Sequence, residues 1–431
     1  MLFLKKCIIV IKNVYEREIM KRLFKFEFCF IFIVFSMLFF SINVIAENLK
    51  EKKISAENVA FEKWKIDFKR IALKNGLKST FLDSVLPQLD YLPKVIQSDK
   101  KQSEFLLTFW DYTDRTITTK RIQTGKNLSK LHADLLTKTA EKYGVHPQVL
   151  MAFWGMETNY GTYKGNIDTL DALATLAFDK RRRSFFTNEL ITLLKLIQSG
   201  EKTTFKGSWA GAFGNFQFMP TTYYYYAVDG DGDGQKDIIN SLPDAFESAA
   251  NYLSKMGWNV NQPWGTEVIL TKKLNWKKIP ENMRLSLENW EQMGVLPACD
   301  KKWASDINKS LMARLVLPNG IGGPAFLTFK NYDLIMRWNN SAMYALSVGI
   351  LSDKIKYDMA PLCTKRNKQQ ISRLDIKYIQ EKLKQKGLYT LEIDGILGKQ
   401  TRKAIKKYQK SVGMDEDGYP SFKLLNKMKE K

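Results

Sequence analysis

Histidine is nearly absent from this 431-residue chain, where only His132 and His146 occur. That scarcity rules out a histidine-rich metal site. It also leaves a Ser-His-Asp or Cys-His device two candidate bases, both at helix ends and neither beside a nucleophile motif. Any chemistry therefore rests on carboxylates, amides and hydroxyls. Cysteine is scarce as well, at four residues. The spacing of Cys299 and Cys363 suits no metal site, and in an oxidising compartment the two are able to pair. Long apolar runs are missing apart from Phe28 to Ile42, which falls short of the ~20 residues of a spanning helix. Lys21, Arg22 and Lys25 precede that run and Val44-Ile45-Ala46 follows it, the layout of a signal peptide that starts at Met20 and is cleaved after Ala46. No cysteine stands where a lipid would attach, so the expectation is an exported, soluble chain without a lipid anchor. Acidic residues are outnumbered, 45 to 67. Removing residues 1–46, with seven basic and three acidic side chains, takes the formal charge from +22 to +18. A surplus of this size suits polyanions, and an exported chain meets anionic cell wall and lipid headgroups rather than nucleic acid.

The stretch Met151 to Gly161, MAFWGMETNYG, places one carboxylate at the end of an apolar run. Leu150, Phe153, Trp154 and Glu157 fall at helical spacing, and Gly161 is placed to end the helix with positive φ. His146-Pro147 marks its start, proline being tolerated in a first turn. A glutamate on an apolar face has reason to hold a proton near neutrality, which makes Glu157 a candidate general acid. A solvated glutamate ending an amphipathic helix is the plainer alternative.

Ser208 to Pro220 alternates small residues with aromatics. Glycines 211 and 214 allow close backbone approach, Gln217 offers an amide to a sugar, and Phe213, Phe216, Phe218 and Tyr223 to Tyr226 offer flat faces on which sugar rings pack. A glycine-rich turn beneath a core aromatic cluster explains the same pattern. The following DGDGDGQKD puts Asp229, Asp231, Asp233, Gln235 and Asp237 at calcium-loop positions 1, 3, 5, 7 and 9, with Gly234 at position 6. Position 12 is Asn240, and Asp244 is the carboxylate able to complete the shell. Structural calcium and an ion-free acidic turn both remain open. The basic run Lys180 to Arg183 reads as a solvated helix end or a contact for an anion. Residues 265–330 turn β-branched and rich in Pro and Gly, the mark of a small β-containing insertion. Asn339, Asn340 and Ser341 then open a helix as caps or line a groove. A polar linker, residues 363–370, separates residues 47–362 from 371–431. This tail has three helical segments with Gly-marked turns, enough for a small bundle.

In the order Glu-Thr-Asn-Tyr-Gly (157–161), Ser-Trp-Ala-Gly-Ala (208–212), Gly-x-x-Gln-Phe-Met-Pro (214–220), acidic loop and Asn-Tyr-Leu (251–253), the chain resembles the lytic murein transglycosylase B family over most of residues 55–355. The tail, with IQEKLKQKGLY, DGILGKQTRKAIKKYQ and DGYP, is similar to a type 1 peptidoglycan-binding module. The resemblance implies a mainly α fold: an α+β lysozyme-like catalytic domain with a small β-containing insertion and an EF-hand-like loop, plus a three-helix C-terminal domain. It further implies a periplasmic, monomeric enzyme whose partner is the peptidoglycan glycan strand, whose chemistry needs no cofactor and whose acidic loop is a site for structural Ca2+. In the implied mechanism Glu157 protonates the oxygen between N-acetylmuramic acid and N-acetylglucosamine, then takes the proton of the muramyl C6 hydroxyl as that oxygen closes onto C1. No second carboxylate at about 5 Å serves as nucleophile, unlike ordinary retaining glycosidases. The family pattern assigns Ser208 and Gln217 to the sugar near the cleaved bond, and Tyr252 and Asn339 to the cleft wall. Trp338 stands where some members have Tyr. A hydrolytic muramidase of this fold and a non-catalytic wall-binding scaffold are the rival readings.

Overall fold

The computed structural model describes residues 56–100, 108–201, 205–272, 274, 279, 282–298, 303, 307–357, 362–364 and 371–430. The expected signal peptide and most of the linker lie outside them. Two compact units divide at Pro93 and Lys94. In the first, helix α1 (56–74) and helix α2 (Ser79–Val85) bury Phe61, Phe68, Ala72 and Leu82. These are the apolar positions of a helical stripe. Trp64 stacks on Phe68 with ring centroids 5.1 Å apart.

Helices dominate the second unit because its sequence repeats apolar residues at intervals of three and four. After α3 (Pro93–Lys100) come α4 (Phe109–Thr116), α5 (Thr119–Leu131), α6 (Ala133–Tyr143), α7 (Pro147–Thr158), α8 (Thr169–Phe178), α9 (Arg183–Gln198), α10 (Pro220–Tyr226) and α11 (Leu242–Lys255). Helix α7 is the axis of the unit. Every residue from Val149 to Gly155 is buried, the signature of a helix apolar all round, and α5, α6, α11 and the later α14 pack on it. A two-residue ribbon pairs β1 (Ile167–Asp168) with β2 (Lys206–Gly207).

The β-branched region forms an antiparallel five-stranded sheet. Its strands are β3 (Gly265–Leu270), β4 (Arg284–Ser286), β5 (Val295–Pro297), β6 (Met312–Val316) and β7 (Ala325–Thr328), in the order β4-β6-β7-β3-β5. Helix α12 (Leu287–Gln292) sits between β4 and β5 and drives Trp290 into the sheet core, where its indole N–H donates to Ala313 O at 2.9 Å. Helices α13 (Lys330–Trp338) and α14 (Ala342–Lys356) return the chain to α7. Cys363 is disulfide-bonded, while Cys299 lies outside the described residues.

The tail is the expected bundle of α15 (Arg373–Gln385), α16 (Lys399–Ser411) and α17 (Phe422–Lys429) around Ile379, Leu383, Ile405, Tyr408 and Leu424. The same device occurs twice in it. Buried Gln380 donates to Asp394 Oδ1 at 2.8 Å and accepts from Gly395 N at 2.8 Å. Buried Gln409 donates to Asp417 Oδ1 at 2.6 Å and accepts from Gly418 N at 2.8 Å. Each Asp-Gly turn is thus locked by one amide from the preceding helix. Among the described residues no helix is long and apolar enough to cross a membrane.

Two polar pairings brace the helices around α7. Arg181 Nε donates to Asp99 Oδ2 at 2.7 Å and Arg182 also binds this buried carboxylate, so part of the basic run works inside the fold. Glu189 on α9 is 2% exposed and caps α10, accepting from Thr221 N at 2.9 Å and Thr221 Oγ1 at 2.7 Å. A carboxylate suits a helix N-terminus, yet burial leaves its pKa raised above the ordinary range. Glu189→Ala is expected to cost about 2 kcal/mol in a denaturant titration, because it orphans two donors at a buried helix end.

Candidate active site

Helix α7 carries Glu157 in its last turn, with Leu150, Phe153 and Trp154 of the same face buried below it. The left-handed residue that ends the helix lies two positions before Gly161. Asn159 is the left-handed cap at φ 50°, Tyr160 follows at φ 60° and Gly161 at φ 74°. Asparagine tolerates this region through its short polar side chain, here donating to Thr162 Oγ1 at 3.0 Å. Tyr160 is held by packing and by donation of its hydroxyl to Arg121 O at 2.8 Å. Burial raises the Tyr160 pKa well above that of a free phenol, so the hydroxyl stays a donor.

Glu157 itself is half-buried. Two neutral donors meet its Oε1: Trp338 Nε1 at 3.0 Å and Tyr344 Oη at 2.5 Å. These come from either side of the turn between α13 and α14. Trp338 therefore supplies an N–H where some family members place a tyrosine. The indole is wedged in an aromatic wall, 4.4 Å from the Phe153 ring, 5.5 Å from Phe218 and 5.0 Å from Tyr252, the last edge-to-face at 85°. Tyr252 packs edge-to-face on Trp338 in this aromatic cluster, and burial raises its pKa. Asn339 is half-buried beside Trp338, its backbone N–H closing the end of α13 on Ile335 O at 3.1 Å.

The Ser208–Pro220 segment divides differently from the expectation of a stacking platform. Phe213, Phe216, Phe218 and Tyr223 are each under 5% exposed. They are core, while Tyr224 and Tyr225 remain exposed. The reason is the tight loop: Phe213 and Phe218 exchange backbone bonds of 3.0 and 2.8 Å, which turns the rings between them inward. Gln217 takes positive φ, 50°, and its Nε2 donates to Lys164 O and Gly214 O at 3.0 Å each. Its amide N–H groups thus brace two loops instead of reaching outward. Ser208 accepts from Ala212 N at 3.2 Å through Oγ, closing the neighbouring turn.

One residue that sequence reasoning passed over ties these parts together. Asn215, 1% exposed, accepts from Trp154 Nε1 at 3.0 Å and donates to Ile238 O at 3.1 Å and Ile239 O at 3.0 Å. Its carbonyl accepts from Thr158 Oγ1 at 2.8 Å, and that hydroxyl oxygen accepts from Gly161 N at 2.9 Å. Gly161 has no room for a side chain, since a Cβ there would lie 2.8 Å from Asn215 Oδ1. The signal available was a lone amide between a glycine and buried aromatics. Tyr344 was passed over too, its spacing indistinguishable from that of a core residue.

Of the six acidic-loop candidates, Asp229, Asp231 and Asp244 converge, with carboxylate oxygens within 4.8 Å of one another. Asp229 is held below its ordinary pKa by the N–H of Gly234 and then of Gly232, whereas burial raises that of Asp244. Asp233 instead accepts from Gln235 N at 2.7 Å, and Asp237 from Ile239 N and Asn240 N at 3.1 Å each, so both shape the loop. Three carboxylates at this separation, one of them desolvated, suit a hard cation. The loop's exit is Ile238-Ile239, the pair whose carbonyls Asn215 holds.

A lysozyme-like helical domain with one glutamate poised against an aromatic wall, joined to a three-helix bundle, defines a glycan-cleaving enzyme with an accessory binding module. The chain belongs to the Transglycosylase SLT domain family, whose model matches residues 60–353. A putative peptidoglycan binding domain matches residues 372–428. Membrane-bound lytic murein transglycosylase B of Escherichia coli K12 is 31% identical over 249 residues, 57% of this chain and 66% of that protein, so the chain spans about two thirds of that relative. SltB3 from Pseudomonas aeruginosa, solved with NAG-anhNAM-pentapeptide, is 37% identical with TM-score 0.77, covering 86% of this chain and 99% of that one. The Escherichia coli transglycosylase Slt35, solved with calcium, is 28% identical with TM-score 0.58, covering 69% and 93%.

The Asn215 knot carries a direct test. Asn215→Ala is expected to destabilise the fold by about 2 kcal/mol in a chemical denaturation experiment, because it leaves the buried Trp154 N–H without an acceptor and takes one of two donors from each of the Ile238 and Ile239 carbonyls, which keep Asn215 N and Lys164 Nζ. A cost under about 1 kcal/mol would show that the knot is dispensable.

Proposed function

We propose that this lytic transglycosylase cleaves the β-1,4 bond between N-acetylmuramic acid and N-acetylglucosamine and leaves a 1,6-anhydromuramyl end, with Glu157 as general acid and then general base. The observation that carries the reading is the pair of neutral donors on Glu157 Oε1. An oxygen accepting from both the indole N–H and the phenol O–H has its lone pairs engaged, so the mobile proton sits on Oε2. After transfer to the leaving oxygen, the same two donors steady the carboxylate until it takes the C6 hydroxyl proton. The wall of Phe153, Trp338 and Tyr252 excludes water from one side of the carboxyl group, which favours attack by the bound sugar's own hydroxyl. Ser208, Tyr252 and Asn339 border the substrate, and Gln217 shapes the loop that does so. The substrate reading is supported by SltB3, which was solved with a muropeptide.

Residues 1–46 direct export, residues 47–362 are catalytic, and residues 371–431 hold the enzyme on the wall of the periplasm as a monomer without lipid anchor. Asp229, Asp231 and Asp244 would hold a structural calcium ion, as the calcium complex of Slt35 suggests. The ion would stiffen the loop that feeds Ile238 and Ile239 to Asn215; no step of the reaction passes through it.

Mass spectrometry of soluble products from purified peptidoglycan tests the chemistry. Wild type is expected to release anhydromuropeptides, and Glu157→Gln to lower the release rate about a hundredfold or more while still binding the wall. Reducing-end products would overturn the anhydro reading. Calcium is tested by melting: at calcium near 100 times Kd the ion adds about 2.7 kcal/mol, so a chelator lowers Tm, and Asp244→Asn removes that dependence. A melting curve indifferent to chelator would remove the ion.

A further inference from the structure

The bundle does not hang free of the catalytic domain. Asp417 Oδ2 accepts from Ile321 N at 2.9 Å, in the loop after β6. At that loop a Cβ on Gly320 would lie 2.5 Å from Tyr419 Cβ, which shows how closely the two backbones approach. Beside this contact lies a groove of about 660 Å³. One wall is the end of β6 with Leu317 and Asn319, continued by the turn Asn340 to Met343; the other is a face of α16.

That face is cationic by construction. Lys399, Arg402, Lys403 and Lys406 stand at helical spacings of three and four, so they share one side of α16, and all four line the groove. The acids lining it are Glu416 and Asp417. Asp417 is already engaged by Ile321 N, Gln409 Nε2 and Tyr419 N. Arg314, also in the lining, is bound to Asp333. The groove is therefore net positive. Its other wall, the turn Asn340 to Met343, is flanked by the two side chains that hold Glu157, Trp338 and Tyr344.

We propose that this groove binds the carboxylate-bearing peptide attached to the muramyl sugar, so that the module's cationic face acts on the substrate during cleavage as well as on the wall at large. The inference rests on the peptidoglycan reading above. The turn Asn340 to Met343 joins the two residues that hold Glu157 and also lines the groove, so a peptide arm leaving a sugar at Glu157 along this turn runs toward α16. Flexible lysine ends at a partly open slot suit carboxylates spread along a peptide better than one fixed anion.

The test uses the full chain and two substrates: glycan strands bearing their peptides, and the same strands after an amidase has removed them. Lys399 and Lys403 are exposed, so the double variant Lys399→Glu/Lys403→Glu should melt as wild type does. It is expected to raise KM about tenfold on the peptide-bearing strands, leave kcat unchanged and leave both constants unchanged on stripped strands. Wild-type KM on peptide-bearing strands should also rise with salt. If charge reversal impairs folding, Lys399→Gln/Lys403→Gln gives the same comparison with a smaller effect. An equal change on both substrates, or none on either, overturns the groove assignment. Failure of wild type to release anhydro products would instead overturn the reaction assigned above, whatever the lysines do.

Discussion

A single buried residue, Asn215, fixes where the end of α7 and its Glu157 stand. Helix α7 is buried along most of its length, so its axis is set by packing. Its last turn is less enclosed: Met156 and Glu157 are half-buried and Asn159 is exposed, while Thr158 and Tyr160 stay buried. Three successive residues of positive φ, two of them not glycine, would unravel an unsupported end. Trp154 and Thr158, both on α7, bond to Asn215, and Thr158 passes the restraint to Gly161. The side-chain amide then reaches the Ile238 and Ile239 carbonyls, so the acidic loop, the glycine-rich loop and helix α7 share one anchor. Strain at the site is borne by hydrogen bonds that cannot be satisfied by water, since the anchor is sealed.

The second constraint is the wall that meets Glu157 from the other side. Trp338 packs on Phe153 of α7, on Phe218 of the glycine-rich loop and on Tyr252 of α11. Its N–H therefore has little freedom, and a donor with little freedom loses little entropy when its acceptor becomes charged. A tyrosine at this position would project its hydroxyl further along a different line. Indole N–H and phenol O–H meet on one oxygen, Oε1, which fixes the orientation of the carboxyl group.

Much of this was legible in the sequence, and the limits have physical causes. The apolar spacing around Glu157, Pro147 at a helix start, the β-branched insertion and the three helices of the tail are local patterns, and each folds as its pattern requires. Spacing of the acidic loop was legible as well, but only Asp229 and Asp231 of its alternating series converge with Asp244; Asp233 and Asp237 turn to their own backbone. What the pattern could not carry is direction in a tight loop. Phe213, Phe216 and Phe218 look like a platform for sugars, yet cross-bonds between 213 and 218 send them into the core. Gln217 looks outward-facing and is turned back by its own positive φ. Tyr344 and Asn215 act through partners 187 and 61 residues away, Glu157 and Trp154 respectively, and periodicity holds no information about such contacts.

The tail shows how a repeated local device yields a particular surface. Gln380 and Gln409 lock two Asp-Gly turns by the same amide pattern. In the first, Asp394 is spent on the turn itself, its Oδ1 also receiving Ile396 N at 2.8 Å. In the second, Asp417 has an oxygen left over, and that oxygen takes the Ile321 N–H of the catalytic domain. The lock that shapes the bundle thus also docks it. Docking through an acid at this end of α16 orients the helix so that its lysine face meets the groove. A bundle attached only by the linker would present those charges in every direction. Held this way, their field is concentrated a short distance from the turn that carries Trp338 and Tyr344, where an anionic substrate arm would feel it most strongly.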